Sequence, residues 1–400
     1  MFNFVSSAMF ILLFYLTFYL NVYGDAQDIY TAAIAQGRMI INVGTPEQRL
    51  LGMFSLEVSE TLLVDINCGV HMECASYCTD AFFASAYCQT NCQPGNFASE
   101  SLTRCESFFY NVYKNLLNYD KFYPMNSSSI EFSQTEWSKW ISGFAPFYGR
   151  IVRDQLSIPT NSTSDDESTF ELSVQIEMID TLLVDSNFMI ETTSVIGLAP
   201  GERNIVTQMY ANGVIPKPIV SMDGVDNDKN NTVTFGAYDL QNCHRWTQHK
   251  NVGNRWILDV NNLEINGFQY AVRSKVLLSL YRDYIYIPSD YLDFLVQSKV
   301  LIKWDDDGPF SSYRYNCNQQ LELNTMIDGQ PISLDKQILG SYSINDSLCN
   351  TQIYSLTILT PEKRYIQEVD FVFGAPFVQK YCIAFDYQSN TVGLALRNDF

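Results

Sequence analysis

The length, composition and charge of the chain exclude several classes of protein. Its 400 residues are 46% hydrophobic, which is enough to build two or three packed domains and excludes a disordered chain. Lys and Arg total 25 against 44 Asp and Glu, and the resulting formal charge of −19 would repel nucleic acid and anionic membranes. With 17% charged and 14% aromatic residues, the composition favours a β-rich globular protein.

The first 24 residues are typical of a signal peptide. They carry no charged side chain, and an apolar run from Ala8 to Tyr19 ends shortly before Gly24. An uncleaved signal anchor is the alternative, because the run is marginal in length for a membrane span and no Lys or Arg precedes it. After cleavage we expect a protein without membrane attachment, secreted or held in the lumen of the secretory and lysosomal pathway.

Ten cysteines agree with this route, because disulfides persist in oxidising compartments. Six of them cluster and four are spread out; they are Cys68, Cys74, Cys78, Cys88, Cys92 and Cys105, then Cys243, Cys317, Cys349 and Cys382. Zinc is the competing interpretation of the cluster, since His71 lies inside it. Disulfides are favoured over a metal site because of the preceding signal peptide. Four sequons also indicate secretory passage, at Asn126, Asn161, Asn230 and Asn345.

Short strand candidates alternate with turn signals along the rest of the chain. Residues 38–43 predict a strand, whereas the stretch 66–123 has no sustained period and indicates a Cys-rich insertion held by bridges. In the second half, strands are predicted at 232–235, 256–260 and 263–265, hairpin turns at Asn266-Gly267 and Asp328-Gly329, and a helix after Pro288. Many strands, tight turns and few helices predict an all-β protein.

The two halves contain a weak internal repeat. Ser55-Leu56-Glu57 lies just ahead of the strand candidate 62–64, and Ser279-Leu280-Tyr281 lies just ahead of the strand candidate 284–288. Each half then has an apolar pair followed by glycine, at Val195-Ile196-Gly197 and at Val372-Phe373-Gly374. The same order of parts in both halves suggests a duplicated lobe.

Read in order, these parts resemble the pepsin-like aspartic proteases (peptidase A1) over nearly all of the mature chain. The resemblance is carried by residues 44–48, 148–149, Asp154, 195–198, 234–239, 256–267, 373–377 and 384–394. It implies two homologous β-lobes around a substrate cleft, an N-terminal lobe at 25–215 with the insertion at 66–123, and a C-terminal lobe at 216–400. It also implies a bridge between Cys317 and Cys349, which leaves Cys243 to pair with Cys382 and the six clustered cysteines to pair among themselves.

The resemblance fails at the residues that carry the family's chemistry. Enzymes of this family use two aspartates, one in each Asp-Thr/Ser-Gly loop, which share a proton so that one acts as base and the other as acid. In this chain the two aspartate positions fall at Ser55 and Ser279, and the position of the flap tyrosine falls at Ser142. The Thr/Ser and Gly positions of the two loops are also replaced, by Leu56, Glu57, Leu280 and Tyr281.

The leading hypothesis is therefore a catalytically inactive, monomeric homologue whose interlobe cleft binds a peptide, a protein or another ligand. We expect no cofactor, no metal and no nucleic acid. A first alternative is an active aspartic endopeptidase in which Glu57 and Asp283 form a new dyad. A second is a structural or defence protein that binds through its Cys-rich insertion. A serine-protease triad is disfavoured because its base would have to be His71, His244 or His249, none of which lies in a known motif.

Overall fold

The structure is a computed structural model that describes residues 29–34, 37–64, 122–140, 146–159, 169–182, 194–224, 231–280, 284–305, 311–341, 347–356 and 368–398. The signal segment and residues 66–121 of the Cys-rich stretch lie outside these ranges. Strands predominate in the described part, and the prediction of an all-β, two-lobed fold is confirmed. None of the described helices is long and apolar enough to cross a membrane.

The first lobe is built on one curled sheet. Its strands, together with the separate strand β1, are β1 (Tyr30–Ile34), β2 (Arg38–Val43), β3 (Gln48–Ser55), β4 (Leu62–Val64), β5 (Glu131–Trp140), β6 (Pro146–Pro159), β7 (Thr169–Leu182) and β8 (Ser194–Gly197). They are joined by a 3₁₀ turn (Pro124–Asn126) and followed by helix α1 (Ile205–Ala211). The sheet order is β2-β3-β8-β4-β7-β6-β5, and a further pairing of β2 with β6 curls it on itself.

The second lobe has a matching sheet of the same size. The remaining strands are β9 (Ile219–Met222), β10 (Asn231–Phe235), β11 (Cys243–Lys250), β12 (Ile257–Ile265), β13 (Phe268–Leu278), β14 (Ile285–Ile287), β15 (Ile302–Lys303), β16 (Tyr313–Asn316), β17 (Leu323–Ile327), β18 (Gln330–Leu334), β19 (Gly340–Ser341), β20 (Leu348–Thr351), β21 (Ile353–Ser355), β22 (Phe371–Phe373), β23 (Tyr381–Asp386) and β24 (Thr391–Arg397). The helices are α2 (Ser289–Gln297), α3 (Lys336–Leu339) and α4 (Ala375–Lys380). The main sheet has the order β18-β17-β12-β13-β22-β14-β21, and a small sheet has the order β15-β16-β20-β19.

The internal repeat corresponds to a four-strand motif that occurs once in each lobe. In the first lobe β3 runs parallel to β8, β8 antiparallel to β4, and β4 parallel to β7. In the second lobe β13, β22, β14 and β21 repeat these three relations in the same order. Phe54 is level with Ile196 in the first motif, and Leu278 is level with Phe373 in the second. The two lobes are therefore duplicates at the level of strand register.

A six-stranded sheet connects the two halves of the chain. Its order is β1-β10-β9-β23-β24-β11, so strands from the start, the middle and the end of the sequence pair side by side. One continuous cluster of buried apolar side chains extends through both lobes and this sheet, from Ala32 to Leu394. Apolar burial on this scale is the main favourable contribution to folding, and it makes the two lobes one packed unit.

Several local predictions from the sequence are confirmed, and one is wrong. Both predicted hairpin turns are present, with left-handed backbone at Asn266 (φ 52°) and at Asp328 (φ 48°), each followed by a glycine with positive φ. The predicted helix is α2, which buries Leu292 and Leu295. The strands predicted at 256–260 and 263–265 are instead one strand, β12, which continues through an irregular register and the left-handed residue Asn262.

Candidate functional site

Two serines stand at equivalent positions of the duplicated motif. Ser55 follows Phe54 at the end of β3. Ser279 follows Leu278 at the end of β13, and its amide donates to the Phe373 carbonyl at 3.0 Å, which extends the strand by one position. Ser55 and Ser279, which the family resemblance aligns with catalytic positions, thus lie at the same end of equivalent strands in the two lobes.

Both serine side chains are buried and uncharged. Ser55 is 1% exposed, and its Oγ accepts a hydrogen bond from the Glu57 amide at 3.2 Å. Ser279 is 0% exposed, and its Oγ has no hydrogen-bond partner in the described part of the chain. A hydroxyl is neutral near pH 7 and cannot act as a general base unless a neighbouring base takes its proton. These two side chains can orient a polar group by hydrogen bonding, but they cannot share a proton as two carboxyls do.

The loop after Ser55 packs directly against the backbone of Gly197, the last residue of β8. A side chain at Gly197 would place its Cβ 2.2 Å from the Glu60 carbonyl oxygen and 2.5 Å from the Ser59 carbonyl carbon. Only glycine permits this approach, because both neighbours are backbone atoms that cannot rotate away. The close contact fixes where the loop leaves β3 and where it enters β4.

A chain of hydrogen bonds joins the two serine positions across the lobes. The Leu198 amide donates to the Ser55 carbonyl at 2.8 Å, and the Leu198 carbonyl accepts from the Trp256 indole at 2.7 Å. The Trp256 carbonyl in turn accepts from the Leu278 amide at 3.0 Å, one residue before Ser279. The hydroxyl of Tyr387 also donates to the Leu198 carbonyl, at 2.8 Å. Sequence reasoning did not find this bridge.

The bridge is packed as well as hydrogen-bonded. Trp256 is fully buried, and its ring centroid lies 4.8 Å from that of Phe385 and 5.3 Å from that of Tyr387. Burial raises the pKa of the Tyr387 hydroxyl well above its usual value, so this group stays protonated as a donor. Leu56 and Leu280, the residues after the two serines, are buried in the same continuous apolar cluster. The two loops are thus held by apolar packing and by the Leu198 bridge.

A family comparison agrees with this architecture. The family model of the eukaryotic aspartyl proteases matches residues 38–397. The chain belongs to this family. No curated protein matches the sequence. The matched range runs from β2 to the last residue of β24, so it includes both copies of the motif and both serine positions.

The alternative dyad is only partly placed. Glu57 is 7% exposed, close in sequence to Ser55. Its proposed partner Asp283 lies outside the described residues, as do Tyr281 and the flap position Ser142. The dyad of Glu57 and Asp283 therefore remains a hypothesis drawn from the sequence.

Of the three histidines considered as triad bases, one lies outside the described residues, one is exposed and one is buried. His71 lies outside the described residues, and His244 is exposed on β11. His249 is 1% exposed, and its Nδ1 lies 3.1 Å from Asp328 Oδ2 while its Nε2 lies 2.8 Å from Thr247 Oγ1. This carboxylate, imidazole and hydroxyl chain has the connectivity of a triad. However, the Thr247 hydroxyl also donates to the Leu394 carbonyl at 3.2 Å, and the cluster joins β11 to the turn between β17 and β18. We interpret it as a contact between two sheets.

Both disulfides predicted for the second half of the chain are present. Cys243 bonds to Cys382, and Cys317 bonds to Cys349, so both pairs that the resemblance implied are confirmed. The six clustered cysteines lie outside the described residues. Within the described ranges, no group of three or more His, Cys, Asp or Glu side chains could hold a metal ion. Asn126 is exposed at the end of the 3₁₀ turn, and the sequons at Asn161, Asn230 and Asn345 fall outside the described ranges.

A buried carboxyl group lies beside the six-stranded sheet, away from the serines. Asp223 is 5% exposed and accepts from the Thr232 amide at 2.6 Å and from the Thr232 hydroxyl at 3.0 Å. Burial raises the pKa of Asp223, and the nearby carboxylate of Asp239 adds to that rise, while the Thr232 hydrogen bonds and Arg397 oppose it. The group is hydrogen-bonded in a structural turn and shows no substrate-binding geometry.

Proposed function

We propose that the protein is a secreted, catalytically inactive aspartyl protease homologue that binds an extended peptide between its lobes. The observation that carries the proposal is the pair of buried serines at equivalent strand ends, which the resemblance aligns with the family's two aspartates. General acid and base groups each contribute roughly 10²- to 10⁴-fold to such reactions, and serine supplies neither group. Apolar Leu56 and Leu280 beside the serines support a role in holding the loops rather than in chemistry.

The inactive state is tested with purified protein and a denatured protein substrate, from about pH 2 to about pH 7, with and without a pepstatin-type inhibitor. We expect no cleavage at any pH. Pepstatin-sensitive cleavage that is lost in Glu57→Gln would establish the active alternative instead. Glu60→Gln is the matched control, because Glu60 is a similarly buried acid of the same loop (8% exposed) and lies outside the proposed dyad.

Binding is tested by fluorescence anisotropy with labelled, end-blocked hexapeptides built on alanine and glycine, each with one variable central residue. We expect saturable binding of at least some members of this panel. A variant that lacks residues 66–121 separates cleft binding from the alternative in which the Cys-rich insertion holds the ligand. Binding that survives the deletion supports the cleft, and loss of all binding from a folded deletion variant supports the insertion.

The secretory route is supported by the two disulfides and by the exposed sequon at Asn126. Expression in a secreting eukaryotic cell should release the chain into the medium with its first residue at Asp25. Asn126→Gln should increase the electrophoretic mobility of the released protein by the amount expected for the loss of one glycan. Retention of residues 1–24 on a membrane-bound product would favour the signal anchor instead.

A further inference from the structure

A row of four side chains crosses the second-lobe motif on one face of its sheet. Leu277 is level with Val372, Val372 with Tyr286, and Tyr286 with Tyr354. Residues level with each other on paired strands point to the same face, so these four side chains form one line. Leu277, Val372 and Tyr286 belong to one small apolar cluster, and Tyr354 packs against it from a half-buried position.

The two tyrosines of this row are a feature of the second lobe. The corresponding register positions of the first-lobe motif are Met53, Val195, Leu62 and Glu177. Tyr286 therefore replaces a leucine and Tyr354 replaces a glutamate of the duplicated copy. The row also lies next to Ser279, because strand alternation puts Leu277 and Ser279 on the same face of β13 and its one-residue extension.

The row continues outward into a group of aromatic side chains with increasing exposure. The Tyr284 ring centroid lies 4.1 Å from that of Tyr354, and burial together with Tyr284 raises the pKa of Tyr354 to about 12. Beyond them, Trp304 is 51% exposed, and the guanidinium of Arg314 lies 3.5 Å from its ring centroid. Arg314 pairs with Asn350 of β20, and β20 leads directly into β21 with Tyr354, so the two parts lie on neighbouring segments. The Asp305 carboxylate also contributes to the raised pKa of Tyr354. We call Tyr284, Tyr354, Trp304 and Asp305 the aromatic ledge.

The ledge carries a fixed negative charge beside its rings. The Asp305 carboxylate accepts from the Ser312 hydroxyl at 2.6 Å and from the Ser312 amide at 2.7 Å, and these bonds lower the pKa of Asp305. In the sequence, Asp306 and Asp307 follow directly. Arg314 shows that the Trp304 indole accepts a planar cation on one face, and the half-exposed side chain leaves surface for a second contact.

We propose that the aromatic ledge binds a basic side chain, arginine or lysine, of the peptide held between the lobes. This inference rests on the proposed function, since the row of four side chains leads from Leu277, on the face of Ser279, to Tyr354 of the ledge. Aromatic faces and an ionised carboxylate both attract a cation, and arginine can stack on a ring while it bonds a carboxylate. The formal charge of −19 speeds the approach of basic peptides to the molecule as a whole, whereas the ledge sets the equilibrium preference and the position of the charge.

The test uses the end-blocked hexapeptides with arginine or uncharged norleucine at the centre. Wild-type protein should bind the arginine peptide about tenfold more tightly than the norleucine peptide. In Trp304→Leu and in Asp305→Asn this ratio should fall close to one, and an unchanged circular dichroism spectrum and thermal melt report that the variants are folded. Trp304→Leu leaves the net charge unaltered, so its effect cannot come from general attraction.

Two variants outside the ledge serve as matched controls. Asp293→Asn removes an exposed carboxylate of α2, and Tyr210→Leu removes an exposed aromatic ring of α1; both should keep the wild-type ratio. Equal binding of the two peptides by wild type would overturn the ledge and leave the proposed function intact. An arginine preference that persists in both ledge variants would overturn it too. If no peptide binds at all, the proposed function fails and the ledge inference fails with it.

Discussion

The bridge at Leu198 gives the sharpest prediction about stability, because one buried carbonyl accepts from the fully buried Trp256 and from the half-buried Tyr387. Tyr387→Phe removes the donor at 2.8 Å, and Trp256→Phe removes the donor at 2.7 Å. In either single variant the carbonyl keeps one partner. The net loss is then one hydrogen bond, about 1 kcal/mol of unfolding free energy, and Trp256→Phe adds about 1 kcal/mol or more for the part of the fully buried indole that phenylalanine does not fill.

The double variant should cost more than the sum of the two single variants. When both donors are gone, the Leu198 carbonyl is buried without a partner, and such an orphaned group costs about 1 to 3 kcal/mol. We therefore expect a coupling free energy of about 1 to 2 kcal/mol between positions 256 and 387. Because the Leu198 amide bonds Ser55, the same double variant should also weaken peptide binding.

The measurement is the unfolding free energy of the four proteins of this cycle, from urea denaturation followed by circular dichroism at one pH. A matched control is Phe385→Leu combined with Tyr387→Phe, which changes a ring packed on Trp256 and leaves the indole donor in place. Additive losses within about 0.5 kcal/mol for positions 256 and 387 would refute the reasoning, since they would mean that the Leu198 carbonyl finds another donor or is not buried.

Three further predictions address the buried acid, the loop contact and the two serines. Asp223 has a raised pKa, so its protonation stabilises the fold in acid. This stabilisation is complete below the ordinary pKa of 3.8 and is lost as the pH rises through the folded pKa. In Asp223→Asn the melting temperature should fall less over this pH range. Gly197→Ala should lower the unfolding free energy by about 3 kcal/mol or abolish folding, and a loss under about 1 kcal/mol in a urea melt would contradict the contact with Glu60. Ser55→Asp with Ser279→Asp should lower the melting temperature more at neutral pH than in acid, because two fully buried carboxyls resist ionisation together; an equal loss in both conditions would mean that they do not share an environment.

The parts of the fold that depend on local chemistry could be predicted from the sequence. Asn266-Gly267 and Asp328-Gly329 define their turns because both residues of such a turn need positive φ, which these residue types tolerate best. The repeat of apolar pairs before glycine gave the duplicated motif. The cysteine pairings came from the family resemblance, since spacing alone leaves many connectivities open.

The parts that depend on distant contacts could not be predicted. The Trp256 indole meets a carbonyl 58 residues away, and His249 meets a carboxylate 79 residues away, and no periodicity encodes either partner. The line of Tyr286 and Tyr354 appears only when the register of four strands is known. The sequence predicts two strands in place of the single strand β12 because Asn262, a residue type that favours turns, lies inside it.

The pairing of β1 with β10 has a consequence for how the chain folds during synthesis. Tyr30 pairs with Phe235, and Val220 of β9 pairs with both Phe235 and Phe385. The first strand must therefore wait for some two hundred residues to leave the ribosome, and the middle strands must wait for the last part of the chain. Until then their backbone groups and apolar faces stay unpaired, a state that exposes strand edges to wrong partners. Nascent chains stalled before residue 381 should be preferred clients of chaperones, and release should follow the completion of β23.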